Sequence, residues 1–284
     1  MNARSPTPGR SQAARHVILP ALLAKPHVLV MGVLNITPDS FSDGGEFLDP
    51  ARALAQAGRM IADGADILDV GAESTRPYGA TPISADEEIA RLTPILPAVA
   101  RLGVPISIDT MKADVAAWAL DHGAAMLNDV WGLHRDPAMA KLAADRGVPI
   151  VVMHNRDAAD PAIDIMKDII AFFERSLAIA EQAGLPRDSI VLDPGIGFGK
   201  TPEQSMIALA RLGELSQFGR PVLVGASRKR FIASVSPSEP RQRIGGSLAA
   251  HLLAVQNGAR IVRAHDVFET VQALRVTAAI GDKR

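Results

Sequence analysis

Ser189-Ile190-Val191-Leu192-Asp193-Pro194-Gly195-Ile196-Gly197-Phe198-Gly199-Lys200-Thr201 runs a short apolar strand into a helical pattern through alternating glycines. A carboxylate, Asp193, stands at the carboxyl end of that strand. The glycines raise the question of a phosphate cradle, and their spacing answers it. A Walker loop needs four residues between its first glycine and the Gly-Lys pair. Gly195 to Gly199 leaves three, and Pro194 holds the place of the first glycine. The dinucleotide fingerprint fails as well, because the spacing is Gly-x-Gly-x-Gly. Thr201, Pro202 and Gln204 read as a capping box with proline at the first helical position. Lys200-Thr201 is therefore read as a helix start. What remains is a strand, an acid, and glycines that let a flat ligand approach the backbone.

The same strand-to-helix unit recurs along the chain. Strands are expected at Val28–Leu34, Ile67–Val70, Pro105–Ile108, Ala125–Leu127, Pro149–Met153, Ile190–Leu192, Val222–Val224 and Arg260–Val262. Amphipathic helical patterns separate them, and such alternation implies a parallel sheet. Glycine ends helices just before strands at Gly64-Ala65-Asp66, Gly123-Ala124-Ala125 and Gly258-Ala259-Arg260. Helix starts are expected at Asp49-Pro50, at Asp136-Pro137, at Ser84 with Glu87 and at Asp266 with Glu269. Eight such units in about 260 residues give an α/β fold, a closed (β/α)8 TIM barrel in a single domain over residues 28–284. A doubly wound open sheet is the alternative. The long loops Pro38–Leu48 and Gly71–Ser84, rich in Gly, Ser and Pro, are candidate lids.

Composition narrows the function. The chain has 284 residues, 48% of them hydrophobic, and a net charge of -1. That balance leaves no electrostatic footprint for nucleic acid. With no cysteine there is no disulfide framework and no thiolate metal site. No apolar run approaches the length of a membrane span. Residues 1–27 carry Arg4, Arg10, Arg15 and Lys25 and no acid. They are read as a flexible N-terminal tail with an apolar piece, Val17 to Ala24, that packs on the domain. Pro20 interrupts that run and no clear small-residue cleavage site follows, which argues against a signal or transit peptide.

Polar residues collect where the strands end. Asn35 follows the first strand; Asp69 and Asp109 end the second and third. Asn128 and Asp129 end the fourth, His154 the fifth and Asp193 the sixth. Ser227, Arg228 and Lys229 follow the seventh; Arg263 and His265 follow the eighth. In a barrel all of them converge on the carboxyl-terminal mouth, where barrel active sites lie. Individually, each has a plainer reading. Asp129 and Asp266 suit helix or turn caps, and His154 suits a supporting donor. Asp69 suits either a buried carboxylate accepting loop amides or a substrate ligand. Trp118 and Trp131 suit packing. A polar group at nearly every strand end is not core packing, since buried charge must be paired or used. Asp109, Asn128 and Asp193 suit a flat, hydrogen-bonding heterocycle, to which Lys229 adds a donor and a charge. Arg263, His265 and the amide oxygen of Asn35 suit a polyanion with a hard cation such as Mg2+. A heterocycle carrying a diphosphate satisfies both halves.

The segments Asn35–Gly45, Asp69–Pro77, Ser107-Ile108-Asp109-Thr110, Asn128-Asp129-Val130, Met153-His154, Asp193–Lys200, Ser227-Arg228-Lys229 and Arg263–Asp266 together resemble the dihydropteroate synthase family, from about Val28 to the C-terminus. The resemblance implies a cytoplasmic, homodimeric transferase of folate biosynthesis and a sulfonamide target. It implies the joining of 4-aminobenzoate to 6-hydroxymethyl-7,8-dihydropterin diphosphate, giving 7,8-dihydropteroate and diphosphate. Carried over, Asp109, Asn128, Asp193 and Lys229 hold the pterin, with Met153 and Phe198 packed on the ring. Asn35, Arg263 and His265 hold the diphosphate, with Mg2+ on Asn35, and Ser227 is a further substrate-binding residue. Phe41, Thr75, Arg76 and Pro77 order their loops around 4-aminobenzoate. Asp109, Lys229, Arg263 and His265 are the implied catalytic set. Partners are small molecules, with no nucleic acid and no membrane.

Three departures from the family pattern stand out: Ala72 for a glycine, Tyr78 as an extra residue, and Arg230 where a serine is common. The last leaves open which group anchors the aminobenzoate carboxylate. Two rival functions share parts of this pattern. A pterin-dependent methyltransferase barrel has no use for the diphosphate set. A non-catalytic paralogue has no need to keep both sets.

Overall fold

The computed structural model describes residues 18–37, 49–73 and 82–283. Strands β1 (Leu29–Asn35), β2 (Ile67–Gly71), β3 (Ile106–Asp109), β4 (Met126–Asp129), β5 (Ile150–Met153), β6 (Ile190–Asp193), β7 (Val222–Val224) and β8 (Ala259–Ala264) form one closed barrel in sequence order. All neighbours are parallel, and β8 returns to β1. The alternative of an open sheet is thereby removed. After α1 (Ile18–Leu23), the surrounding helices are α2 (Pro50–Ala62), α3 (Ala85–Leu92), α4 (Leu96–Val99), α5 (Ala113–Asp121), α6 (Ala138–Arg146), α7 (Ile165–Gln182) and α8 (Pro202–Ala210). They are completed by α9 (Arg230–Val235), α10 (Ile244–Gln256) and α11 (Val267–Gly281).

The strands read as apolar runs because both faces are buried. Outward residues such as Val30, Leu68, Ile108, Leu127, Val152, Leu192 and Val224 pack with the helix faces in the main core. Inward residues Leu29, Met31, Ile67, Met126, Val151, Val191, Leu223 and Ile261 form a second cluster inside the barrel. Leu19 and Leu22 of α1 belong to this inner cluster. Of the tail expected over residues 1–27, residues 1–17 lie outside the described residues. Residues 18–27 are part of the barrel domain, because α1 covers apolar side chains at the amino-terminal end of the strands. Lys25 and His27 add an anchor on the buried Asp66, at 2.6 and 3.1 Å.

Most helix starts follow the expected chemistry. Asp49 accepts from the backbone of Ala51 and Arg52, and Ser84 from Glu87. Thr201 and Gln204 exchange both bonds of a capping box. Asp266 stands at the start of α11 but its side chain makes no cap; it is spent on Arg228 instead. Asp136 accepts from Ala138 and also from Ala113, so it ties α6 to α5.

Strand parity then positions the site. Side chains alternate in and out along each strand. Met31 pairs with Ile67, Asp109 with Asn128, and Met153 with Asp193. One step above the apolar inner layer, the same inward face presents Asp69, Asn128, Met153, Asp193 and Arg263.

Candidate active site

A cavity at the carboxyl-terminal mouth is lined by Asp109, Asn128, Val130, Met153, Asp193, Ile196, Phe198, Gly225, Lys229 and Arg263. Its polar wall is one connected set. Arg263 donates through Nε to Asp69 Oδ2 at 2.6 Å and through Nη2 to Asp109 Oδ2 at 2.8 Å. Asn128 donates through Nδ2 to Asp69 Oδ2 at 2.9 Å. Among the described residues Asp69 accepts no loop amide; it orients an arginine and an amide. Because its nitrogen is turned to Asp69, Asn128 is left with its carbonyl oxygen to offer a ligand.

The wall holds acceptors without donors. Asp109 Oδ1 is buried and unpartnered, as is Asp69 Oδ1. Asp193 Oδ1 accepts from the Gly195 amide at 2.7 Å, while Oδ2 bonds to no described residue. Buried polar atoms are normally paired, so this wall is complementary to a ligand edge rich in N–H donors. Burial pushes both carboxyl groups up: Asp109, against the pull of Arg263 and with the push of Asp69, and Asp193 to about 6, against Lys229, Arg263 and Lys200. Burial lowers the affinity of Arg263 for its proton, but Asp69 and Asp109 more than reverse that.

The flat walls are apolar. Val130, Met153 and Phe198 form a small cluster with Trp131 against it. The Lys229 ammonium sits 3.9 Å from the centre of the Phe198 ring. The glycines around Phe198 are dictated by backbone more than by a ligand. Gly195 has φ +66, and a Cβ there would fall 1.9 Å from the His154 carbonyl oxygen. Gly199 has φ +53, and a Cβ there would fall 2.4 Å from Arg156 Cβ. The turn is pressed onto the segment following β5.

Beside the cavity is a second constellation. His265 meets Ser227: its backbone N–H donates to Ser227 Oγ at 3.2 Å, and its Nδ1 lies 3.0 Å from the same oxygen. Burial, with Arg263, Arg228 and Lys229 nearby, lowers His265 to about 3, so the imidazole is neutral. Arg228 adopts a left-handed backbone, φ 58, and pairs with Asp266 through Nε at 3.0 Å and through Nη2. Arg228 thus ties the segment after β7 to the segment after β8. Asn35 ends β1, half-buried, next to Gly71 of β2.

Known proteins resemble the chain over most of its length. The model of the pterin binding enzyme family matches residues 31–265. The dihydropteroate synthase of Bacillus subtilis is 46% identical over 93% of this chain and 92% of its own length. A dihydropteroate synthase from Clostridium difficile, crystallised in the presence of pteroic acid, superposes with a TM-score of 0.86 at 46% identity, covering 90% of this chain and 97% of that one. That of Xanthomonas albilineans with 4-aminobenzoic acid gives 0.86 at 42% identity, covering 91% and 94%. The chain belongs to the pterin-binding enzymes, among the dihydropteroate synthases.

Of the residues expected in a dihydropteroate synthase site, Asp109, Asn128, Met153, Asp193, Phe198, Lys229 and Arg263 line one cavity. Ser227 and His265 stand together, and Arg263 is two residues before His265 on β8. Arg263 was expected on the diphosphate; here two of its nitrogens face Asp69 and Asp109. Phe41, Thr75, Arg76 and Pro77 lie outside the described residues. Asp129 falls on the outward parity of β4. It accepts from the backbone of Trp131 and Leu133 and shapes the turn there, as a cap does.

Four residues of the site were given no role by sequence. Val130 and Ile196, inside recognised motifs, and Gly225 line the cavity. Lys200, read as a helix start, is 6% exposed and bonded into the glycine turn. Its signal was available: a lysine directly before a capping box, in an otherwise apolar context. A wider surface groove of about 630 Å³ lies at the opposite end, beside the start of β6, lined among others by Leu177, Leu185, Phe218 and Arg220. None of the strand-end polar groups reaches it.

Proposed function

We propose that the cavity binds 6-hydroxymethyl-7,8-dihydropterin diphosphate and that the chain joins its methylene carbon to the amine of 4-aminobenzoate, forming 7,8-dihydropteroate and diphosphate. The observation carrying this reading is the row of acceptors to which no described residue donates, Asp109 Oδ1, Asn128 Oδ1 and Asp193 Oδ2, beside the apolar Val130, Met153 and Phe198. A pterin edge presents an amino group and ring N–H donors to such a row. Lys229 supplies a donor to the ring carbonyl, and Met153 and Phe198 cover the faces.

In this reading the bond from the methylene carbon to the diphosphate oxygen breaks first, and its electron pair leaves with the diphosphate. The arylamine lone pair then forms the C–N bond, and the nitrogen releases its proton. Negative charge grows on the leaving group, where Ser227, His265 and a freed Arg263 offer donors in a site that holds them in place beforehand. Positive charge grows on the ring, against the Asp109 carboxylate. Arg263 pairs with Asp69 and Asp109 without ligand, so its reach toward the diphosphate is a rearrangement within the same guanidinium.

Mg2+ fits the donor set. The amide of Asn35 bonds to no described residue, and no cluster of three or more His, Asp or Glu suited to a metal occurs among the described residues. A hard cation that takes one protein oxygen and fills the rest from phosphate and water suits such a rim. Bound there, Mg2+ neutralises charge on the diphosphate.

The homodimer is part of the proposal. Leu253 on α10 and Phe268, Val276 and Ile280 on α11 are exposed on two packed helices. Phe268→Glu with Ile280→Glu is expected to halve the mass seen by light scattering; an unchanged mass in folded protein removes this face from the interface. No helix among the described residues is long and apolar enough to cross a membrane. A cytoplasmic location rests on the family alone. The test of the reaction is chromatographic detection of dihydropteroate, with diphosphate release, from purified protein, both substrates and Mg2+. Folded protein that yields neither product refutes it.

A further inference from the structure

Lys200 is the one charged group of the glycine turn that pterin binding itself does not use. Its ammonium lies behind the turn, away from the ring. It donates to Gly195 O at 2.9 Å, to Phe198 O at 3.1 Å and to His154 Nδ1 at 2.6 Å. Three acceptors match the three N–H bonds of an ammonium. With Nδ1 accepting, His154 carries its proton on Nε2 and donates to Asp168 Oδ2 at 3.0 Å. His154 is fully buried and, through burial and the nearby Lys200, lowered to about 4, which agrees with a neutral ring. Asp168 is held to about 2 by His154 and Arg156. The chain Lys200–His154–Asp168 therefore runs from the glycine turn to α7.

We propose that Lys200 is a positioning residue for the pterin ring: it clamps the carbonyls on either side of Ile196-Gly197 and so holds the wall and the amide that flank the ring slot. The clamp fixes Phe198, which walls the ring slot, and Gly195, whose amide orients Asp193. The charge acts on the same acid. Asp193 faces Lys229 from beyond β7, Arg263 from β8 and Lys200 from its own turn, so Lys200 is one of three cations opposing its burial. Lys200 itself faces Asp193 on β6, Asp168 on α7, Arg156 and His154 after β5, and Lys229. Burial pulls it down to about 7 against the two carboxylates. A pterin that fixes Asp193 as an anion therefore also fixes Lys200 as a cation.

This inference rests on Asp193 being the pterin anchor, and the experiment separates the two. Binding of 6-hydroxymethylpterin is measured from pH 5 to pH 9 for the wild type, Lys200→Met, Lys200→Gln and Asp193→Asn. Lys200→Met is expected to weaken binding at pH 8 by about tenfold or more and to move the acid limb upward by about one pH unit, since a neighbouring cation has been lost. Lys200→Gln retains amide donors for the carbonyls, so its affinity at pH 8 lies nearer the wild type while the limb moves equally. The KM for 4-aminobenzoate at saturating pterin diphosphate stays within about twofold in both, because a distant clamp on the ring is uniform binding of that ring alone. Lys200→Met that binds pterin within about twofold of the wild type at pH 8 overturns the proposal. If Asp193→Asn binds pterin like the wild type, the anchor assignment fails instead. Should neither Lys200 variant fold, lysine 15N NMR of the wild type decides: 6-hydroxymethylpterin must shift the resonance of one buried ammonium, and no shift overturns the proposal.

Discussion

Replacing Asp193 by Asn inverts one face of the site while sparing its turn. The Asn carbonyl can still accept from the Gly195 amide, now 2.7 Å from Asp193 Oδ1. Its nitrogen then occupies the place of Oδ2 and points a donor at the donor edge of the ring. Hydrogen bonds to a charged partner contribute about 1.5–3 kcal/mol each, and a buried group left without a partner costs about 1–3 kcal/mol. One lost acceptor facing two pterin donors thus amounts to about 3–4 kcal/mol, or on the order of 200- to 1000-fold in pterin Kd. Stability moves the other way. Burial raises the folded-state acid from 3.8 to about 6. Sign matters here: a carboxyl group raised on folding opposes folding above its folded pKa, and that penalty vanishes once pH falls below the unfolded value. Removing the charge at pH 8 is then worth up to roughly 3 kcal/mol of stability. The assay is calorimetric titration with 6-hydroxymethylpterin beside thermal melting at pH 8. Weakened binding with an equal or higher Tm is expected. A Kd within threefold of the wild type, or a collapse in Tm, refutes the reasoning.

Other outcomes follow from the same geometry. Pterin affinity in the wild type is expected to fall about tenfold per unit as pH drops below about 6, where Asp193 takes up a proton in the free protein, with Asp109 adding to the loss; a flat profile from pH 5 to 8, read by titration, contradicts this. Arg228→Gly suits the left-handed φ of 58 but frees Asp266, so the KM for pterin diphosphate is expected to rise by about tenfold in steady-state assays, while 6-hydroxymethylpterin binds within about threefold. Leu19→Ala, at a side chain 1% exposed inside the barrel base, is expected to cost about 2–5 kcal/mol in chemical denaturation with little change in KM; a loss below 0.5 kcal/mol (roughly the range of surface changes) would remove α1 from the core.

Much of this was legible because barrel chemistry is periodic. Eight apolar strands with polar ends announce a mouth, and each expected strand lies within a residue or two of the observed one. Parity carries further than position. Asn128 and Asp129 both end β4, yet only the first shares the inward face with Asp193 and Asp109; the second caps a turn on the helix side. Pairings across the chain were not legible. Asp266 sits in a good capping sequence, but a guanidinium from beyond β7 is a stronger partner than the helix amides. Asp69 suits loop amides locally, whereas closure of the barrel brings Arg263 to it from 194 residues away. Lys200 stands directly before a legible capping box, but its contacts come from a stem folded back under its own turn, which no spacing rule expresses. The glycines near it answer to His154 and Arg156, residues of a different strand-end segment.

These cross-chain contacts give the barrel mouth a division of labour. In the proposed reaction, acceptors from β3, β4 and β6 would face the ring, and donors from beyond β7 and β8 the leaving group. Arg263, which pairs with Asp69 and Asp109, would serve both halves.

The most direct measurement is a crystal structure of this chain with 7,8-dihydropteroate bound. The expected density places the pterin between Met153 and Phe198, its amino group and ring N–H on Asp193 Oδ2, and further ring nitrogens on Asn128 Oδ1 and Asp109. A pterin seated elsewhere, or one in this cavity that leaves Asp193 without a donor, would contradict the assignment of the acceptor wall.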